Sequence, residues 1–362
     1  MSKKRDQQLK ATQHDILSNS ANENIVKQFE KLIDQVKFDM DNAPTRNDRI
    51  INSYRLKQIQ AALNTIRLFP KPIKAGIDLK DIKGIGKGTM ARIDEILKTG
   101  KLEEIKLEGN NEQYLKYIED LEQVFGIGRR TAYVLITKYN IKSVQELKTA
   151  YNNGQIALND QVLTGLKYYD LYKKSIPREE MDKIFIYLQN IAMELDPELF
   201  VIICGSYRRL RLTSNDIDVL ITHPKIKTKL DLESSDNYLL KFIAKLKEKH
   251  FLIADLTDKN FESKYMGYSQ FNEGKIKYPI RRIDIRYFPD DAYYAAILYF
   301  TGSGEYNRRM RELAKSLGFQ LNEYGLYKIH GTKKIKIKVN SEKEIFDKLG
   351  MEYIPPEKRN VI

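Results

Sequence analysis

The sequence predicts an α+β protein with several domains. At 362 residues the chain is long enough for two or three hydrophobic cores. Its first half consists mainly of amphipathic helical patterns, whereas residues 199–222 and 281–286 alternate as strands do. We therefore expect helical N-terminal domains, a mixed β-sheet in the central part and a small α+β domain at the C-terminus.

The central part of the chain pairs an apolar strand with a strand that carries acidic residues. A buried strand is predicted at residues 200–204, followed by a turn at Gly205 and Ser206, whose backbone N–H groups and hydroxyl suit a phosphate. Asp216 and Asp218 lie two residues apart, so both carboxylates leave one face of the next strand. Two like charges on a buried sheet are unfavourable unless a cation neutralises them, and oxygen ligands suit Mg²⁺.

A third acidic residue stands in the alternating segment 281–286. Asp284 lies on the face opposite Ile283 and Ile285. This residue is either a structural aspartate neutralised by the neighbouring arginines or a third metal ligand. The remainder of the chain favours the metal ligand.

Composition points to an anionic partner and excludes several classes of protein. The net charge of +13 and pI of about 9.3 favour nucleic acid, although a generally lysine-rich composition gives the same values. A single cysteine, Cys204, excludes a disulfide scaffold and indicates a reducing compartment. No apolar run approaches the roughly 20 residues of a membrane span, so no membrane association is expected.

The N-terminal half contains two copies of an apolar-x-Gly-apolar-Gly pattern. The first begins at Ile82 and the second at Val124, and both are flanked by basic residues. Glycines at such turns let backbone amides approach a DNA phosphate. Helices are predicted at 24–40, 49–69, 89–98, 181–194, 238–247 and 291–299, strands at 251–254 and 263–266, and a flexible tail at 1–20.

Taken together, these motifs resemble DNA polymerase beta and its family X relatives. The resemblance is carried by GSYRR, NDIDVLITHP, RRIDIR, the segment from Tyr293 to Tyr327 and the segment from Ser341 to Asn360. It runs from about Tyr54 to the C-terminus, with the motifs in the family's order. It implies an N-terminal helical domain at 21–107 that is lyase-like and holds the first helix-hairpin-helix, and a helical DNA-binding domain at 108–175 that holds the second. A nucleotidyltransferase palm at 176–290 and a nucleotide-selection domain at 291–362 follow.

The family's activity implies a role for each matching residue. We expect a DNA-directed DNA polymerase that fills short gaps with deoxynucleoside triphosphates, using two Mg²⁺ ions for which Mn²⁺ substitutes. The metal-binding and catalytic residues would be Asp216, Asp218 and Asp284. The nucleotide-binding residues would be Gly205, Ser206, Arg209, Asn215, Tyr299, Phe300, Gly302 and Asn307.

The resemblance also implies contacts with gapped or nicked double-stranded DNA. The DNA-binding residues would be Gly84, Gly86, Lys87, Gly126, Gly128, Arg129, Arg282, Arg308 and Arg311. Main-chain carbonyls would hold a monovalent cation at each hairpin: Lys80, Ile82 and Ile85 in the first, and Glu122, Val124 and Ile127 in the second. Glu323 and Tyr324 match residues that bond to the helix of Asn307 when it closes. We further expect a monomer, located inside the cell in the nucleus or another DNA-containing compartment.

Several positions depart from the family's pattern. Arg92 stands where relatives have the nucleophilic lysine of the 5′-deoxyribose-phosphate lyase, and a guanidinium is a poor nucleophile. Lyase activity is therefore expected to be weak or absent unless Lys80, Lys83 or Lys87 substitutes, and Arg92 becomes a candidate 5′-phosphate contact or an ordinary helix residue. Ser175 replaces a triphosphate-binding arginine, for which Lys173, Lys174 and Arg178 are candidate substitutes. Gly88, Leu210, Asn215 and Gly304 also differ from the residues usual in relatives.

Two other functions remain open from the sequence. A template-independent terminal transferase resembles the C-terminal part, but it usually carries a long insertion over the template site, and no such insertion is visible near Asn340. A non-catalytic protein that binds DNA ends is compatible with the two hairpins and the charge. Such a protein has no need of three carboxylates beside a Gly-Ser pair.

Overall fold

The computed structural model describes residues 22–69, 71–82, 84–106, 110–171, 174–234, 237–257 and 262–360. The predictions for residues 1–20, Lys83 and Lys173 lie outside these ranges. The described residues fall into two compact units, one within Met1–Gln123 and Ile127–Ala150, the other within Val124–Gly126 and Tyr151–Ile362. None of the described helices is long and apolar enough to cross a membrane.

The first unit is helical. Its helices are α1 (Glu23–Asp41), α2 (Arg46–Leu68), α3 (Lys87–Thr99), α4 (Asn110–Glu122) and α5 (Arg129–Tyr139), with a short 3-10 helix at Gly76–Leu79 and with α6 (Val144–Asn152) at its end. Thr45 begins α2 by accepting a hydrogen bond from the Asp48 N–H, which satisfies one free donor of the first turn. Phe29, Leu32 and Ile66 are fully buried between α1 and α2 and form the centre of the core.

The second unit is built on a five-stranded mixed sheet. Its helices up to residue 248 are α7 (Asp160–Tyr168), α8 (Arg178–Leu195), α9 (Gly205–Arg208), α10 (Lys229–Ser234) and α11 (Tyr238–Glu248). The strands are β2 (Phe200–Ile203), β4 (Ile217–Thr222), β5 (Leu252–Asp255), β6 (Lys264–Glu273) and β7 (Ile276–Tyr287), in the order β2-β4-β7-β6-β5. β4 and β7 are parallel and the other pairs are antiparallel. The short strands β1 (Ile176–Pro177) and β3 (Thr213–Ser214) pair separately.

Both faces of this sheet are covered. Val219, Ile221 and Ile285 belong to the large core beneath α8 and α11. Leu220, on the opposite face of β4, packs with Ala296 and Ile297 of the following domain. The two faces of the sheet therefore pack against different hydrophobic cores.

The C-terminal part is a small α+β arrangement. It contains α12 (Tyr293–Thr301), α13 (Gly304–Ser316), the antiparallel strands β8 (Phe319–Asn322), β9 (Gly325–His330) and β10 (Lys333–Ile337), and α14 (Glu342–Lys348), with 3-10 turns at Asp290–Ala292 and Pro356–Lys358. Strand β10 lies at the edge, and its Lys333 and Lys334 are exposed. The α+β class predicted from the sequence is confirmed.

Three predicted elements differ in extent from the observed ones. The Gly205-Ser206 turn opens the one-turn helix α9, and the helix predicted at 291–299 is shifted to α12 because a 3-10 turn precedes it. The strand predicted at 263–266 continues to Glu273 and pairs with β7 through a two-residue turn. Gly274 supplies the positive φ of 60° that this turn requires.

A buried ion pair ties β7 to helix α8. Arg281 donates two hydrogen bonds to the Glu180 carboxylate, at 2.8 and 2.7 Å, and a third to the Lys174 carbonyl at 2.6 Å. The two side chains are only 3% and 5% exposed. This pair fixes β7 immediately beside Arg282 and Asp284.

We predict that Glu180→Gln destabilises the fold by about 3 to 5 kcal/mol, because it leaves the buried guanidinium without its counter-charge. Chemical denaturation followed by circular dichroism measures the loss. Glu273→Gln is the matched control, since Glu273 pairs with Lys183 at the surface, with side chains 47% and 44% exposed, and is expected to have no measurable effect. Equal shifts for the two variants would contradict a structural role for the buried pair.

Candidate active site

The three aspartates singled out in the sequence meet at one end of the sheet. Asp218 on β4 and Asp284 on β7 are direct partners in the parallel register, and Asp216 immediately precedes β4. Ligand oxygens of all three carboxylates lie within 4.8 Å of one another. The alternation of both strands turns these side chains away from the core isoleucines.

Arg282 compensates part of this negative charge. Its Nη2 lies 2.8 Å from Asp284 Oδ2 and 4.0 Å from Asp216 Oδ2. The other oxygen of Asp284, Oδ1, is buried and has no hydrogen-bond partner among the described residues. An unpaired buried carboxylate oxygen beside two further carboxylates fits a divalent cation, which takes oxygen ligands. The cluster is therefore a possible site for a divalent metal.

Burial and mutual repulsion raise the pKa values of two of the three carboxyl groups. Burial raises the pKa of Asp218 well above its ordinary value, and the charges of Asp216 and Asp284 raise it further. Burial also raises the pKa of Asp216, against the opposing effect of Arg282. Because a bound cation favours the ionised forms, metal binding relieves this repulsion.

Gly205 is required beside this cluster. It begins α9 with a φ of +53°, and a Cβ at this position would overlap the Asp218 carboxylate. The preceding Cys204 donates its N–H to the Asp218 carbonyl at 2.7 Å. The start of α9 is thereby held directly against the acidic strand.

The predicted phosphate-binding residues share helix α9 and its end. Arg209 Nη2 donates to Ser206 Oγ at 3.2 Å, so the two side chains lie together. Leu210 replaces a glycine of the family and adopts the φ of +58° that glycine allows, which is costly for a branched side chain. Asn215, the other replaced glycine, is not in this left-handed region.

Arg178, one candidate substitute for the missing arginine at position 175, lies against the same loop. Its guanidinium stacks on the Tyr207 ring at 4.4 Å and donates to the Tyr207 carbonyl at 3.0 Å. Arg178 therefore stabilises the position of Tyr207 in α9.

The predicted nucleotide contacts of the C-terminal part cluster at the end of α12. The Asn307 amide donates to the Tyr299 carbonyl, and the Arg311 guanidinium lies 5.9 Å from the centre of the Tyr299 ring. Phe300 packs against the core that contains Cys204 and Leu220. Gly302 has a positive φ of 70°. Tyr299, Phe300, Gly302 and Asn307 are therefore brought together, and their roles stay predictions.

Arg308, a predicted template contact, is already paired within its own helix. It donates to Glu305 at 2.6 Å and to Glu312 at 3.3 Å. Binding a phosphate would require it to share or exchange these partners. Tyr324, predicted to bond to this helix when it closes, places its ring 5.6 Å from that of Phe288, and its predicted role stays a prediction.

The two hairpins have nearly identical backbones. Gly84 and Gly126 adopt positive φ values of 97° and 88°. Gly86 and Gly128 are extended N-caps of the following helices, with φ, ψ of −104°, 174° and −97°, 172°. This geometry leaves backbone N–H groups at the starts of α3 and α5, where Lys87 and Arg129 are the first residues. The Ile82 carbonyl, a predicted cation ligand, accepts the Ile85 N–H at 3.1 Å.

Arg129, a predicted DNA contact, is paired with an acidic residue through its Nε, whereas its Nη2 has no hydrogen-bond partner among the described residues. Its Nε donates to Asp41 Oδ2 at 3.1 Å, which joins α5 to the end of α1. The DNA contacts predicted for Arg129, for Lys87 and for the glycines of both hairpins stay predictions.

Arg92 belongs to a chain of charged residues that we did not predict from the sequence. It pairs with Glu104 through two of its nitrogens, and Glu104 also accepts from Arg55 at 2.9 Å. Burial works against ionisation of Glu104, but Arg92 and Arg55 hold the pKa of its carboxyl below the usual value. The position of the family's nucleophile therefore carries a neutralised structural arginine. The acidic pair at 103–104 was the one signal in the sequence that pointed to such a partner.

A second cluster of possible ligands, Asp196, Glu198 and His223, is neutralised internally. His223 Nδ1 accepts the Lys225 N–H at 3.2 Å, which leaves the ring proton on Nε2, 3.2 Å from Asp196 Oδ2. Lys225 pairs with Glu198 at 2.5 Å. No ring lone pair faces the carboxylates, so this group is better explained as structural.

Comparison with known proteins identifies the family. The model of the DNA polymerase beta palm matches residues 175–290, the model of the DNA polymerase beta thumb matches 296–360, and a helix-hairpin-helix model matches 20–102. The chain belongs to family X of the DNA polymerases, as a protein of the DNA polymerase beta type. The resemblance inferred from the motifs is confirmed.

Individual relatives agree with this assignment. The chain is 32% identical to DNA polymerase lambda of Arabidopsis thaliana over 94% of its length, and 30% identical to DNA polymerase lambda of Rattus norvegicus over 83%. It is 28% identical to DNA nucleotidylexotransferase of Xenopus laevis over 85%. The matches cover 62%, 51% and 64% of these relatives, so the chain spans between half and two thirds of their length.

We predict that Gly205→Ala lowers the affinity for Mn²⁺ about tenfold or more, because its Cβ displaces the Asp218 carboxylate. Electron paramagnetic resonance of free Mn²⁺ measures the binding. Gly274→Ala is the control: Gly274 has a similar φ of +60° but no heavy atom within 4 Å of the added Cβ. If both variants lose affinity equally, backbone strain rather than the carboxylate contact would be responsible.

Proposed function

We propose that this chain is a DNA-directed DNA polymerase that fills short gaps in DNA repair. It adds deoxynucleotides to a primer 3′-hydroxyl and releases pyrophosphate. The observation that carries this proposal is the meeting of Asp216, Asp218 and Asp284 within 4.8 Å beside the Gly205 helix, in a chain of the DNA polymerase beta type.

The residues of the site divide the chemistry among them. Two Mg²⁺ ions held by the three aspartates, or Mn²⁺ in their place, would lower the pKa of the primer hydroxyl and stabilise the leaving pyrophosphate. Asp284 would take the proton of the primer hydroxyl, and the 2.8 Å hydrogen bond from Arg282, which orients the Asp284 carboxylate, supports this role. Ser206 and Arg209 bind the oxygens of the triphosphate.

Selection of the sugar is assigned to the end of α12. Tyr299, Phe300 and the Gly302 backbone would lie against C2′ of the incoming nucleotide and leave little room for a 2′-hydroxyl. The close packing of Phe300 against the core and the tie between Asn307 and Tyr299 support a rigid wall at this point.

The DNA substrate is assigned to the two hairpins. Their matching glycine geometry presents backbone amides that hold phosphates without reading sequence. We also propose that the main-chain carbonyls of each hairpin turn hold a monovalent cation. A single copy of the chain would bind the gapped or nicked DNA. The protein would act in the nucleus or another compartment that contains DNA.

We predict that Asp284→Ala abolishes nucleotide addition while the affinity for gapped DNA stays close to that of the parent, because the carboxylate serves the chemistry rather than the phosphate backbone. Primer extension and equilibrium DNA binding in the same buffer measure the two properties. Asp231→Ala, at a surface helix far along the chain, serves as the control. Retained synthesis by the Asp284 variant would refute the three-carboxylate site.

A template-independent terminal transferase is the second candidate, favoured by the similarity to a nucleotidylexotransferase. Against it stand the short connections of the palm and thumb strands: β6–β7, β8–β9 and β9–β10 are each joined by two residues. No described strand connection there is long enough to cover a template. Extension of a primer without any template strand distinguishes the two activities.

We predict no lyase activity on a gap that carries a 5′-deoxyribose phosphate, because Arg92 is protonated and bound to Glu104. Borohydride trapping is expected to give no covalent adduct, while nucleotide addition proceeds in the same mixture. A trapped adduct would show that a lysine elsewhere performs the reaction, and Lys80, Lys83 and Lys87 would then be replaced by alanine in turn.

A further inference from the structure

The C-terminal end of the chain reaches the predicted phosphate-binding arginine. Arg209 Nε donates to Asn360 Oδ1 at 2.9 Å, across 151 residues of sequence. Its Nη1 donates to the Thr301 carbonyl and its Nη2 to Ser206 Oγ. Of the five N–H groups of a guanidinium, two are left for a ligand.

Asn360 is held at this place from both sides. Its own amide nitrogen donates to the Glu357 carbonyl at 2.9 Å, which turns the amide oxygen toward Arg209. The preceding Arg359 is fully buried: it donates to Glu342 at 2.7 Å and to the Ile354 carbonyl at 2.8 Å. The rings of Phe346 and Tyr353 surround its guanidinium at 5.3 and 5.6 Å.

This anchor also connects the tail with the segment that precedes α13. The Arg359 carbonyl accepts the Ser303 N–H at 3.3 Å. Arg208, the neighbour of Arg209, donates to the Thr301 hydroxyl at 2.7 Å and to Glu342 at 2.5 Å. The position of Asn360 is therefore fixed relative to α9 and to the end of α12.

We propose that Asn360 is a positioning residue for triphosphate binding, because it holds the Arg209 fork beside Ser206 before the nucleotide arrives. This assignment rests on the proposed polymerase function. An arginine side chain has many rotamers, and a ligand must order them when it binds unless the protein has already done so. The amide oxygen of Asn360 and the Thr301 carbonyl hold Nε and Nη1, which leaves one N–H on Nη1 and one on Nη2, the atom that donates to Ser206.

The test compares two substitutions at one position. Asn360→Leu keeps the size of the side chain but removes the acceptor, whereas Asn360→Asp keeps an acceptor oxygen, loses the donor to Glu357 and adds a negative charge. We expect Asn360→Leu to weaken binding of a matched deoxynucleoside triphosphate about tenfold, the effect of losing a hydrogen bond to a charged group. Asn360→Asp is expected to bind the nucleotide more tightly than Asn360→Leu, since the acceptor oxygen for Arg209 is retained.

Binding is measured on gapped DNA with a dideoxy-terminated primer in Mg²⁺, so that no turnover is needed. Primer extension then separates KM, expected to rise about tenfold in Asn360→Leu, from kcat, expected to stay within about twofold. Asn340→Leu, an exposed asparagine in the same domain, is the control and is expected to match the parent.

Two results would overturn the assignment. Parental nucleotide affinity in Asn360→Leu would show that Arg209 needs no support from the tail. Equal losses in the Leu and Asp variants would show that the acceptor for Arg209 does not support nucleotide binding. A parent chain that binds gapped DNA but no deoxynucleoside triphosphate would instead overturn the proposed function, and this assignment with it.

Discussion

The close approach of three carboxylates on the parallel pair β4–β7 is the constraint on which the rest of the structure depends. Like charges at this distance and with this burial oppose folding unless they are compensated. Each neighbouring feature is a form of compensation or support: Arg282 supplies positive charge, Gly205 leaves room for the Asp218 carboxylate, and the buried Arg281–Glu180 pair fixes the strand. The fold thus holds three carboxylates close together, and a bound cation would reduce the repulsion between them.

A second level of organisation connects the palm with the C-terminal part through arginines. Arg208 and Arg359 share the carboxylate of Glu342, and Arg209 reaches the backbone of Thr301. Shared buried carboxylates of this kind depend on every partner, because removal of one leaves the others with unbalanced charge. Arg359 and Asn360 are therefore packed into the region of the predicted phosphate-binding residues.

The strands that carry the three aspartates were predictable from the sequence because the signals for them are local. Alternation in 281–286 is sufficient to separate Asp284 from the core isoleucines, and the spacing of Asp216 and Asp218 places both on one face. The partners of Arg209 and Arg92 were not predictable in this way. Arg209 and Asn360 are 151 residues apart, and Arg92 meets Glu104 only after the turn that follows α3. Charge pairing over such separations depends on tertiary packing, which has no periodic signal in the sequence. The length of β6 was missed for a similar reason, since it is set by pairing with β7.

The edge strand β10 has a consequence for association between copies of the chain. Among the strands of the described residues it pairs only with β9, so one row of its backbone N–H and C=O groups has no described strand beside it. An open edge of this kind ordinarily invites a second strand. Here the exposed Lys333 and Lys334 lie along it, whereas Lys336 pairs with Asp291 at 2.6 Å, and a second copy added edge to edge would bring further lysines close to these charges. Self-repulsion along this edge disfavours sheet extension into fibres and keeps the strand's polar groups in contact with water.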